Sequence, residues 1–153
     1  MTPKAVDQQI KQDPEATAAQ YLAGVLGVAY LVTGLLGFAL TGSMGFTAHD
    51  PQMQMAGLTI NPLHNVVHAL VGALGVFAFT RSRRAQRYGI LVLVAFGLLA
   101  LTGFLGIGTG AMNMNGPDNW LHAGTAVLGL LMALVPTRAQ RGTSPQVAGS
   151  ARR

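Results

Sequence analysis

The chain has 153 residues, of which half are hydrophobic and only 10% are charged, with a formal net charge of +5. Ordinary soluble domains carry about 25% charged residues, so this composition argues against a water-soluble domain and for an integral membrane protein of one domain. The basic residues do not interleave with aromatic ones, which argues against nucleic acid as a partner, and the lack of cysteine excludes disulfides, zinc–thiolate sites and thiol catalysis.

Residues 1–12 are polar, without an apolar period, and are expected to form a cytoplasmic tail. Asp13-Pro14-Glu15 has the form of a helix start: an Asp cap, Pro at the first helical position and an acid where the helix dipole favours it. An apolar run over residues 18–40 follows, long enough to cross a hydrocarbon core of about 30 Å. It exceeds the roughly 7–15 residues of a signal-peptide core and has no basic stretch directly before it, so a membrane span is favoured over a cleaved leader.

Residues 41–61 read as a loop with Gly42, Gly45, Pro51 and Gly57. Asn61 caps and Pro62 starts a second helix over 62–80. Residues 81–87, with Arg81, Arg83, Arg84 and Arg87, read as a basic connector. A third apolar run spans 88–107, a glycine- and asparagine-rich turn spans 108–117, and a fourth run spans 118–136 and ends at Pro136. The expected architecture is all-α: a membrane-embedded, left-handed four-helix bundle over 18–136, between a tail and helix start at 1–17 and a disordered basic tail at 137–153.

Four spans place both tails and the 81–87 connector on one side. All ten Lys and Arg fall there and none in the 41–61 or 108–117 loops, so the positive-inside rule makes that side the cytoplasm of a bacterial inner membrane. Tyr88 and Trp120 fall near opposite interfaces, as ring anchors do. The segments also repeat. Thr33-Gly34-Leu35-Leu36-Gly37 resembles Thr102-Gly103-Phe104-Leu105-Gly106, Asn65-Val66-Val67-His68-Ala69 resembles Asn119-Trp120-Leu121-His122-Ala123, and Leu74-Gly75 matches Leu128-Gly129. The chain therefore reads as two similar helical hairpins in one orientation. Gly24, Gly27, Gly34, Gly37, Gly72, Gly75, Gly103 and Gly106 are expected to let helices approach closely.

The chemistry concentrates where the second and fourth helices begin. His64 and His68, four residues apart, share a helix face, and His122 lies at matching depth. Under the repeat His68 matches His122, Asn65 matches Asn119, and His64 matches Asp118. Ionisable groups inside a membrane segment usually face the bundle interior and often mark function. Three readings follow. His64, His68, His122 and Asp118 can ligate a transition metal, with Asn65 and Asn119 orienting the rings. His68 and His122 can be axial ligands of a b-type haem. Or His and Asn simply hydrogen-bond helix to helix; proton sensing is a further use of such a cluster. The methionines add a variant: Met53-Gln54-Met55 and Met112-Asn113-Met114 offer thioethers suited to Cu(I), with His49 near by in sequence, or fill gaps where loops fold onto the bundle.

Enzyme motifs are thin: there is no nucleophile elbow, no phosphate-cradling loop and no His-Glu-x-x-His. Asp50 and Asp118 are the carboxylates near the outer face, so an enzyme is not the favoured class.

Gly57 to Asn61, the 61–68 stretch Asn-Pro-Leu-His-Asn-Val-Val-His, His49-Asp50 and Asp118-Asn119-Trp120-Leu121-His122 resemble domain of unknown function 4383, a family of small four-helix membrane proteins mostly from actinobacteria. The resemblance covers about residues 18–136, implies fold and location, and brings no activity; the Met-x-Met pairs lie outside its pattern. The readings carried forward are a non-enzymatic membrane protein with a metal-binding or proton-sensing outer cluster, a haem- or quinone-linked redox protein, and a structural accessory of a larger membrane complex. The lipid bilayer is the expected partner, with a membrane protein or a second copy of the chain beside it.

Overall fold

The computed structural model describes residues 15–138. They form four helices and one small hairpin: α1 Ala18–Thr41, β1 Gln54–Met55, β2 Leu58–Thr59, α2 Pro62–Phe79, α3 Ser82–Phe104 and α4 Gly116–Leu134. The described chain is thus helical, as its composition requires. Helices α1, α2 and α3 are each long and apolar enough to cross a membrane. Helix α4 is not among these three; its first turns carry Asp118, Asn119 and His122.

Local chemistry sets the helix starts. Asp13 and Pro14 lie outside the described residues, and the cap of α1 is Thr17: its side chain accepts from the Gln20 N–H while the Gln20 side chain accepts from the Thr17 N–H. That reciprocal box satisfies two donors at once and fixes the first turn. Asn61 caps α2 with Pro62 behind it, as expected. Helix α3 begins at Ser82, not at Tyr88, so most of the expected basic connector is helix. Arginine is a good helix former and nothing over 82–88 breaks a helix; the apolar run starts later than the helix does. Helix α4 begins at Gly116, capped by Asn115, and Asp118 is the third residue of its capping box.

Helix α1 packs along α2 and α3 along α4, with lighter contact between the pairs. Backbones come close at glycines. A methyl on Gly27 would strike the Gly75 and Val76 backbone, one on Gly34 would strike Ala69, and one on Gly129 would strike Leu93. Gly106 does not serve in this way: it turns the chain after α3 with φ +69, and nothing lies where its Cβ would be. Among the glycines in close contact are Gly89 and Gly129, which pack α3 on α4.

The two pairs carry matching bonds. Gln20 Nε2 donates to the Phe79 carbonyl at the end of α2 (2.7 Å), and Gln86 Nε2 donates to the Ala133 carbonyl at the end of α4 (3.0 Å). The Asn65 amide fills the space over Gly37, and the Asn119 amide fills the space over Gly103. Gly37 therefore corresponds to Gly103, one turn away from the Thr33/Thr102 alignment expected from sequence. Tyr30 and Phe96 meet between the pairs, with ring centroids 5.1 Å apart.

The core is lined by small residues, rings and polar groups, whereas many large aliphatic side chains of the helices, such as Val25, Leu35, Leu70, Leu98 and Leu131, stand outward. Trp120 stands outward too, but Tyr88 does not anchor an interface: it is buried, and its hydroxyl donates to the Val71 carbonyl. The arginine-bearing end gathers Glu15, Ser82 and Arg138, whose guanidinium donates to the Glu15 carbonyl at 2.8 Å. The loops over 42–61 and 105–115 cover the other end.

In the first of these loops β1 and β2 pair antiparallel through a two-residue turn, Ala56-Gly57, with φ of +53 and +83. Tight hairpins favour such positive φ values, but alanine resists them. Ala56→Gly is expected to stabilise the fold by about 1 kcal/mol, read as a higher midpoint in thermal unfolding of the purified protein.

Candidate metal centre

Beneath the loops, side chains from the first turns of α2 and α4 converge. Asn61 Oδ1 accepts from the His64 N–H at 2.9 Å, and Asn115 Oδ1 accepts from the Asp118 N–H at 3.0 Å. These caps fix the phase of each helix and so fix which residues turn inward. Inward come His64 and His68 from α2 and His122 from α4, only 0%, 4% and 1% exposed. Their ligand nitrogens all lie within 4.8 Å of one another.

The hydrogen-bond partners assign the protons. His64 Nδ1 lies 3.0 Å from the Met112 carbonyl, which can only accept, so Nδ1 carries the proton and Nε2 keeps a lone pair. His64 Nε2 and His68 Nε2 are 3.0 Å apart, so His68 Nε2 donates and His68 Nδ1 is left as an acceptor. That Nδ1 has no partner, and neither nitrogen of His122 has one. A buried polar atom without a partner costs roughly 1–3 kcal/mol, so His122 is an expensive residue as it stands. A backbone carbonyl that orients one ring nitrogen while the other faces a shared point is the usual arrangement around a bound metal.

Rings and loops surround the cluster. Tyr30 packs edge-on to His68 at 4.8 Å between centroids and Phe96 to His122 at 5.4 Å. The Tyr30 hydroxyl and the Thr125 hydroxyl share a 2.7 Å hydrogen bond. Above, Asn61 Nδ2 donates to the carbonyls of Ala48 (3.0 Å) and Ala111 (2.8 Å), tying one loop to the other. Asn113 accepts from the Asp50 N–H (3.1 Å) and donates to the carbonyls of Asp50 (2.8 Å) and Ile60 (2.9 Å). The Thr59 hydroxyl donates to the Asn113 carbonyl.

Residues 20–135 match a protein family described as a domain of unknown function, DUF4383. The chain belongs to this family. The DUF4383 match runs from the first turn of α1 to the end of α4, so it includes the three clustered histidines, both asparagine caps and both loops above them. The chain matches no curated protein and no solved structure.

In this DUF4383 chain His64, His68 and His122 come together, and Asp118 does not join them. Its Oδ2 accepts from the Asn115 N–H at 2.8 Å and its carboxylate closes the α4 cap, while Oδ1 has no partner. Asn65 and Asn119 do not orient the rings either: Asn65 Nδ2 donates to the Thr41 hydroxyl at 3.2 Å, and both amides pack on glycine. Met112 contributes its main-chain carbonyl, Met114 is buried, Met53 is half-buried, and Met55 borders a cavity next to His68. His49 is exposed. Helix-to-helix bonding holds for Asn65, which joins α2 to Thr41 of α1, whereas the bonds of His64 and His68 run along α2 and to a loop.

A haem between His68 and His122 does not fit. A His64 nitrogen lies within 4.8 Å of both would-be axial nitrogens, inside the footprint of any macrocycle placed between them. A single ion meets no such obstacle. Three imidazole nitrogens around a tetrahedral zinc stand about 3.3 Å apart, so the three rings, with nitrogens within 4.8 Å of one another, would have to close slightly around an ion. Sequence reading missed Tyr30, Phe96, Asn113 and Asn115. Asn115 had a signal, because Asn61 and Asn115 precede their matching histidines by the same distance.

Proposed function

We propose that this chain is a multi-pass membrane protein in which two similar helical hairpins hold a tri-histidine site for a divalent transition metal. The observation that carries this is the convergence of three buried imidazoles from two helices, with both nitrogens of His122 unpartnered. Imidazole suits zinc, copper, iron and nickel, and three protein ligands leave a fourth position for water or a ligand.

Membrane insertion is supported by the inverted surface: polar and small groups inside, large aliphatic side chains outside. In lipid such a surface needs no cover, and close glycine packing replaces the hydrophobic effect between helices. The matching Gln20/Gln86, Tyr30/Phe96 and Gly37/Gly103 contacts support two hairpins of one design. All Lys and Arg lie in the tails or over 81–87. With those segments in the cytoplasm, the histidines sit near the outer face of the bacterial inner membrane, under the loops.

Metal analysis of detergent-purified protein loaded with Zn²⁺ or Co²⁺ tests the reading. Wild type is expected to bind one ion per chain, with the visible bands of tetrahedral Co²⁺. His68→Ala and His122→Ala are each expected to weaken binding by about 100-fold or more. Wild-type stoichiometry in both variants, or no binding by wild type at micromolar metal, would end the proposal.

A further inference from the structure

A cavity of about 570 Å³ opens between α1 and α4, bordered above by Met55, Leu58 and Ile60 of the first loop. This lies within the roughly 300–1,000 Å³ of small-molecule sites. Its outer lip is Trp120, 72% exposed on the flank of the bundle, so in a membrane it opens sideways into lipid. The walls are largely apolar, and no charged side chain lines them. The side chains with polar atoms are His68, Tyr30, Thr33, Thr125 and the indole of Trp120. His68 is 4% exposed, and its Nδ1, itself buried, is a lone-pair acceptor with no protein partner, so a ligand reaches it only with a small shift of the ring.

The groove exists because one hairpin has small residues where the other has large ones. In the register set by Asn65/Asn119 and Gly37/Gly103, Gly124 corresponds to Leu70, Thr125 to Val71, and Thr33 to Leu99. Val71 and Leu99 pack against the core. The two hairpins therefore differ at this flank, with the smaller side chains next to His68.

We propose that this groove binds a membrane-soluble quinol: an uncharged ring bearing hydroxyls, on an apolar tail. The absence of charge in the lining disfavours a phosphate headgroup, and the unpartnered His68 Nδ1 calls for a donor. Tyr30, His68 and Trp120 offer ring faces and edges to a flat head. The acceptor is the nitrogen of His68 that does not bond His64; an imidazole ligating a metal through Nε2 carries its proton on Nδ1, so quinol binding is expected of the metal-free chain and is measured apart from metal binding.

Trp120 is the one tryptophan in the chain, which makes its fluorescence a reporter of the groove. The test uses full-length protein in phosphatidylcholine nanodiscs with chelator present, titrated with a decyl-substituted benzoquinol. A decylbenzene without hydroxyls measures occupation by the apolar tail alone. Saturable quenching is expected, at a concentration at least ten-fold lower for the quinol than for decylbenzene. The double variant Gly124→Leu/Thr125→Val, which copies residues of the other hairpin, is expected to lose the saturable component while keeping its metal site. His68→Phe keeps a ring in place and is expected to erase the quinol's ten-fold advantage. Quenching by wild type that rises linearly without saturation, or saturates equally with decylbenzene, would overturn the proposal whether or not the variants fold. Unchanged quinol binding in a folded double variant would overturn it as well.

Discussion

Gly72→Ala is expected to destabilise the fold by about 3 kcal/mol, the upper part of the range for overpacking a tight contact. The added methyl would overlap the Leu31 backbone of α1 and stand 2.7 Å from the Gly27 carbonyl oxygen. Both obstacles are main chain, so no rotamer change relieves them and α1 must move away from α2. Gly129→Ala carries the same penalty in the other pair, where the methyl would stand 2.7 Å from the Gly89 carbonyl oxygen. Gly124→Ala supplies the control, because nothing lies within 4 Å of its Cβ position. There the gain in helix propensity, about 0.5–1 kcal/mol, is expected to show as a slight stabilisation. Denaturation in mixed micelles reads all three. Gly72→Ala and Gly124→Ala shifting stability by the same amount and sign would mean that α1 and α2 do not touch at Gly72.

The amino-acid sequence makes some levels of this molecule legible and hides others. Helical segments follow from hydropathy because a long apolar run leaves few alternatives, and Asn61-Pro62 announces α2 by a local hydrogen bond that needs no tertiary context. Boundaries set by side-chain reach were less visible. Arg83, Arg84 and Arg87 mark a charge boundary but lie within α3, because charge decides membrane depth and not backbone conformation. The likeness of Asn65 and Asn119 was legible, and both buried amides pack on a glycine, Gly37 and Gly103, whereas the likeness drawn between Thr33 and Thr102 falls one turn away from that pairing. Strings of Thr, Gly and Leu recur in many membrane helices and carry little register information. Gln20 and Gln86 carry more, yet each sits beside polar sequence that reads as exposed until the carbonyls of Phe79 and Ala133 are placed over them. The histidines were legible as a cluster from spacing and matched depth. Which carboxylate or carbonyl completes their surroundings was not, since Asp118 serves its own helix cap and the Met112 carbonyl comes from a loop whose path no periodicity describes.

That loop gives the second large effect. Asn113→Ala is expected to cost about 3 kcal/mol and also to weaken metal binding, although Asn113 touches no imidazole. Its side chain is fully buried, and its removal leaves the Asp50 N–H and two carbonyls, of Asp50 and Ile60, without their partner. Each such loss costs roughly 1–3 kcal/mol when water cannot enter, less when it can. Alanine also tolerates the φ of +50 at this position poorly, whereas asparagine adopts it more readily. A loosened loop carries the adjoining Met112 carbonyl with it, and His64 then loses the acceptor that holds Nδ1 protonated and Nε2 turned inward. Loss of such an orienting contact typically weakens metal affinity by about 10–100-fold. Met112→Leu and Met114→Leu keep the backbone and remove only sulfur, so they are expected to retain wild-type affinity. Competition titration against a chromophoric chelator distinguishes the two roles of the Met-Asn-Met stretch. Weakening in the leucine variants with full affinity in Asn113→Ala would assign the ligands to the thioethers and take the carbonyl out of the site.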